Sequence, residues 1–151
     1  MVGPYALLKE AKISVVMNPV AAGTTEQKSS VIDMAGYDSV MFILSLGTVT
    51  AGCVETLTIY GNTASSTSSP APTAITNAVA TYTDVAAESS NTLLIVDVLN
   101  VNPDTQRYVF ADFTRTTANA VINGVYAIRY NSKSVPQTLD ATVIAAALAK
   151  P

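Results

Sequence analysis

Thr92-Leu93-Leu94-Ile95-Val96-Asp97-Val98-Leu99-Asn100, then Asn102-Pro103-Asp104-Thr105, then Arg107-Tyr108-Val109-Phe110-Ala111-Asp112-Phe113-Thr114-Arg115 is the stretch that decides the fold. The first run is short, apolar and partly β-branched, far below the ~20 residues of a membrane-spanning helix and suited to a strand. The middle run is turn chemistry: proline presets φ, and the Asn and Asp side chains bond nearby backbone groups. In the third run Tyr108, Phe110 and Asp112 alternate with Val109, Ala111 and Phe113, the period of a strand. Together they read as a β-hairpin.

The same period recurs in both directions from this stretch. Ile13, Val15 and Met17 alternate with Lys12, Ser14 and Val16 until Asn18-Pro19 stops the strand. Residues 22–29 read as a polar loop. In 39–46 both faces are apolar, Val40, Phe42, Leu44 and Leu46 against Met41 and Ile43, which predicts a central strand or a subunit contact. Leu57 and Ile59 alternate with Thr56, Thr58 and Tyr60, after which residues 63–73 are almost wholly Ser, Thr, Ala and Pro and read as an exposed loop. A weak strand at 78–83 and a polar connection at 84–91 lead back to the opening stretch. Beyond it, residues 120–130 place Ile122, Tyr126, Ile128 and Tyr130 on one face, with a bulge at Asn123-Gly124.

Seven or eight short strands joined by Gly, Pro, Asn and Ser turns predict an all-β fold, a two-sheet antiparallel β-sandwich in which jelly-roll connectivity is one option. The 151 residues fit one domain over 11–131, with an N-terminal arm at 1–10 and a C-terminal tail at 132–151. In the tail Leu139, Val143, Ile144, Ala147 and Leu148 recur at helical spacing, predicting a short amphipathic helix or a segment that folds on a neighbour. Apolar arms of this kind usually mark partner surfaces, so Tyr5, Leu7, Leu8, Leu139, Val143, Ile144 and Leu148 are the candidate contacts.

The chemistry is sparse. The chain has no His, which removes the usual general base and the commonest metal ligand. A single Cys53 allows no intrachain disulfide and no Cys-rich metal site, and reads as a core residue. Asp97 and Asp112, in neighbouring predicted strands, and Asp33 with Asp38 near Gly36 are the carboxylate pairs on offer. A strand-borne or turn Asp more often serves surface or backbone than catalysis. Seven Tyr and no Trp raise sugar stacking, against the plainer reading of rings in the core. The net charge of −3 with Lys and Arg scattered from Lys9 to Lys150 offers no basic stripe for nucleic acid or an anionic membrane. The expectation is a non-enzyme without cofactor or metal, made in a cytosol.

The order of signals between Val31 and Tyr130 resembles small tailed-phage cement or decoration proteins. The matching elements are Val31-Ile32-Asp33-Met34-Ala35-Gly36-Tyr37-Asp38-Ser39-Val40, a strand, a Ser/Thr-rich middle loop, Arg107-Tyr108-Val109 opening a strand that ends Phe113-Thr114, and a final strand. The resemblance implies a sandwich or jelly roll bound outside the major capsid protein lattice of the virion. It also implies self-association as homodimer or homotrimer, and stiffening of the shell against internal DNA pressure. The alternatives are a tail or head-fibre subunit and a non-catalytic carbohydrate-binding module.

Overall fold

In the computed structural model, residues 7–134 and 138–147 are described, and the protein is a β-sandwich of ten strands with a single helical turn. That turn is α1 (Leu7–Glu10); the strands are β1 (Lys12–Met17), β2 (Val20–Gly23), β3 (Gln27–Lys28), β4 (Ile32–Asp33), β5 (Tyr37–Val49), β6 (Val54–Asn62), β7 (Thr73–Thr83), β8 (Leu93–Val98), β9 (Tyr108–Thr116) and β10 (Ala120–Ser132). The first sheet runs β1-β10-β5-β8, with β2 also on β10; the second runs β3-β9-β6-β7, with β4 also on β9. All pairings are antiparallel.

The core is what the alternation demands. Val40, Phe42, Leu44 and Leu46 of β5 point inward beside Leu94, Val96 and Val98 of β8 and Val125 and Ala127 of β10. They meet Leu57 and Ile59 of β6 and Val109, Ala111 and Phe113 of β9 in one apolar cluster. Each such side chain, fully buried, contributes roughly 1.5–3 kcal/mol relative to exposure. Cys53 is fully buried in the same cluster. The expectation of a central strand at 39–46 holds: β5 lies between β10 and β8.

The opening stretch is not a hairpin. β8 pairs with β5 in the first sheet, whereas β9 pairs with β6, β3 and β4 in the second. The turn forms as its residues suggest, with Asn102 Oδ1 accepting from the Asp104 N–H at 3.0 Å and Asn102 C=O from the Gln106 N–H at 2.8 Å. Just before it, however, Asn100 adopts φ 53° and buried Val101 donates its N–H to Asp38 C=O of β5, 2.8 Å, so the chain is still held to the first sheet before the turn leads it into the second. Period two states which side of a strand is buried, not which strand lies next to it. The consecutive strands that do pair are β6 and β7, across the Ser/Thr-rich loop. That loop is held by Asn62, whose Nδ2 donates to Ser66 C=O and Pro70 C=O.

Other readings shift for similar reasons. Residues 22–29 contain short β2 and β3 pieces rather than loop alone, and the weak strand at 78–83 extends back to Thr73. The bulge at Asn123-Gly124 is present, with the register slipping between Ile122 and Gly124, where Gly124 has φ 149°. Its consequence corrects the predicted face: Ile122 is fully buried, while Tyr126 and Ile128, past the extra residue, point outward.

Candidate interaction face

The two outer faces of the sandwich differ in kind. On the first sheet the register aligns Val15 of β1, Tyr126 of β10, Ile43 of β5 and Ile95 of β8 in one row across four strands. The next row is Ile13, Ile128, Met41 and Asp97, and beyond the first row on the other side Leu93 lies opposite Ser45. Leu93, Ile95, Val15 and Tyr126 are 56%, 47%, 39% and 38% exposed, so this apolar surface is open to solvent. Antiparallel sheets commonly carry polar side chains on a solvated face. Here that alternation fails on adjacent strands, and large contiguous apolar patches mark interaction sites.

One end of this face is polar and fixed. Tyr130 donates its hydroxyl to Asp97 Oδ1 at 2.6 Å, and burial together with that bond pushes the phenol up to about 12. A groove of about 600 Å³ opens there between the face and α1, lined by Leu7, Ala11, Met41, Ile128 and Tyr130 with Asp97. Of the candidate contacts, Leu7 borders the face at this groove and is 59% exposed, and Leu8 is partly covered.

The tail forms no helix over its described part, 138–147. Local side-chain bonds replace it. Asp140 Oδ1 accepts from the Thr142 N–H and hydroxyl, and Asp140 Oδ2 takes an ion pair from Arg129, 2.9 Å, with Lys12 at 3.9 Å. Burial opposes ionisation there, but the bonds from Thr142 and Ser14 and the Arg129 charge hold the Asp140 carboxyl below its ordinary value. Thr142 Oγ1 in turn accepts from the Val15 N–H at 3.0 Å, covering part of the free edge of β1. Asp and Thr side chains that bond nearby backbone compete with helix in this way. Leu139 and Ile144 project into solvent from this segment, Val143 is half-buried, and Tyr5 and Leu148 lie outside the described residues.

The carboxylates the sequence offered share no site. Asp97 points out of the first sheet, and Asp112 out of the second, where it lies opposite Thr58 and Lys28. Asp33 accepts both Nε and Nη2 of Arg107, at 3.0 and 2.9 Å, and the Ala35 N–H, which lowers it. Asp38 pairs with Lys133 at 3.4 Å. Among the described residues no group of three or more His, Cys, Asp or Glu is arranged to hold a metal ion. The second sheet's outer face carries instead a Thr56–Thr81 hydroxyl contact at 3.1 Å and a stacked Tyr60–Phe110 pair, centroids 5.6 Å apart, with Phe110 fully buried.

Sequence reasoning missed a different cluster. Glu55, Asp84, Ser89 and Arg115 are all buried at one end of the sandwich. The polar composition of 84–91 hid it, because an Asp and a Ser in a connection normally face water.

No protein-family model matches the sequence, and no curated protein is found that resembles it.

Proposed function

We propose that this chain is a virion structural subunit of the capsid cement type, which docks on the major capsid protein lattice through the outer face of its first sheet. The observation that carries this reading is the row of exposed Val15, Tyr126 and Ile95 with half-buried Ile43 among them, bordered by Leu7 at the groove beside α1. An apolar face flanked by a short N-terminal turn and a tail that leaves Ile144 in solvent suits broad contact with a repeated surface. On a lattice, modest interfaces gain from multivalency, so each copy needs no deep pocket. The sparse charge fits such contacts, and the acidic balance fits a place on the outer shell away from packaged DNA. Association as dimers or trimers of this chain belongs to the same reading.

A tail or head-fibre subunit would use the same face on a different particle surface. A carbohydrate-binding module fits less well, since Tyr126 sits between Val15 and Ile43 rather than among the polar groups that orient a sugar. The test incubates purified protein with heads that lack it and measures co-sedimentation. A fixed ratio to the shell subunit, lost on Ile43→Asp, is the expected result. Protein that stays in the supernatant with every head tested, or that binds a glycan array through Tyr126, overturns the reading.

A further inference from the structure

The cluster missed by sequence contains a hydrogen that two groups require. Glu55 and Asp84 are 0% and 1% exposed, and both lie within reach of one hydroxyl: Ser89 Oγ is 2.8 Å from Glu55 Oε1 and also bonded to Asp84 Oδ2. A serine hydroxyl has one hydrogen and can donate to only one carboxylate. The second contact is a hydrogen bond only if that carboxyl is protonated and donates to Ser89 Oγ. Two buried, ionised carboxylates around one oxygen would also repel at low dielectric, and Glu55 Oε2 and Asp84 Oδ1 have no protein hydrogen-bond partner among the described residues to offset this.

Every neighbouring charged group leaves that conclusion standing. On β9, Arg115 lies directly across from Glu55, yet its guanidinium donates to Thr25, Ala21 and Ala120 carbonyls instead. On β7, Tyr82 is the cross-strand neighbour, and its hydroxyl donates to Glu88 at 2.9 Å. Glu88 adds a further negative charge, held at about 2 by backbone N–H groups including those of Ala86 and Val85. Cys53, two residues before Glu55, is itself pushed up by burial. Burial first, and then the Asp84 and Glu88 charges, raise the Glu55 carboxyl despite its bond from Ser89.

We infer that Glu55 keeps a proton that it donates to Ser89 Oγ, whose own hydrogen goes to Asp84, and that this proton latches the 84–91 connection across the two sheets. The connection is tied to the first sheet by Asn91 N–H to Gly47 C=O, 2.9 Å, and by the Val49 N–H to Ser90 Oγ, 2.9 Å. Ser89 ties it to β6 of the second sheet through Glu55. When the proton leaves to solvent, two anions face one hydroxyl and this tie is lost. The connection then opens at the end that leads into Leu93 on the candidate interaction face. The inference is independent of what that face binds.

The test follows amide hydrogen exchange of 89–91 in the full chain from about pH 5.5 to about pH 9, corrected for intrinsic exchange, in an Asp112→Asn background so that no second raised carboxyl titrates. Protection is expected to fall by up to about tenfold per pH unit once the proton is lost. Glu55→Gln, whose amide donates to Ser89 Oγ as a neutral acid would, is expected to hold protection flat. If that variant fails to fold, the infrared band of a protonated carboxyl in the Asp112→Asn protein at neutral pH decides. Its presence supports the latch and its absence overturns it. A profile that is flat without the Glu55 change, or equally steep with it, overturns the inference, and so does restoration of protection at high pH by calcium, which would make the site a cation site.

Discussion

The outer faces of the two sheets are built from the same strand period and end in opposite states. On the second sheet, Phe110 is covered by its own chain, stacked on Tyr60, and the rest of the face is mostly threonine, Thr56, Thr58, Thr81 and Thr114, with Val79 opposite Thr58 as an isolated exposed apolar side chain. On the first, Met41, Ile43, Ile95, Tyr126 and Ile128 lie side by side with no covering layer over Ile95 and Tyr126 among the described residues. The difference teaches where the described residues complete their own burial and where they leave apolar surface open. A sandwich needs only its inner faces closed, so an apolar outer row is not required by the fold.

The comparison is broken or sharpened most strongly at Phe110. Phe110→Ala should cost about 3–5 kcal/mol in urea unfolding, since the ring is fully buried although it lies outside the cluster between the sheets. A loss under about 1 kcal/mol would mean that the second sheet's outer face is open as well. At Ile43 the effect moves from folding to association. Ile43→Asp should weaken particle binding by at least about 30-fold, roughly 2 kcal/mol, while leaving the protein folded. Thr81→Lys on the opposite face should leave binding unchanged, and equal losses from both would erase the distinction.

A smaller effect is pH-dependent. Desolvation, with Glu26 beside it, pushes Asp112 up to about 7. Because this folded-state value lies above the unfolded one, the stability it confers is full below about pH 4 and is lost as pH rises through about 7. Asp112→Asn should therefore gain on the order of 1–2 kcal/mol at pH 9 relative to the unchanged protein, and little or nothing at pH 4. Denaturation midpoints at both values check the sign. Smallest of all, Thr81→Ala removes the hydroxyl contact with Thr56 and should cost about 0.2–1 kcal/mol, a midpoint shift near the limit of measurement.

The inner faces of β5, β6 and β9 were legible in the alternation, whereas in β1 the apolar set Ile13 and Val15 turns outward and Ser14 and Val16 turn inward. Val40, Phe42, Leu44, Val109, Ala111 and Phe113 each point where period two places them. The apolar doublet on both sides of 39–46 also announced an unusual outer face, through Met41 and Ile43. Its partners did not show, because Ile95 and Tyr126 are brought beside Ile43, and Val15 beside Tyr126, by pairings between strands distant in sequence. The bulge at Gly124 also reverses the facing of Tyr126 relative to Ile122. The tail's helical spacing was real in sequence and absent in space. Bonds from Arg129 to Asp140 and from the Val15 N–H to Thr142 fix 138–147 in another shape.

By itself the sequence determined that short strands with one buried side would close into two layers, because a hydrophobic period of two has no other economical burial. Only the tertiary structure decided that β8 and β9 part company into different sheets, which apolar row stays uncovered, and that Glu55 meets Asp84 at Ser89. Those outcomes depend on contacts between residues far apart in the chain, and a strand's own pattern carries no address for its neighbour.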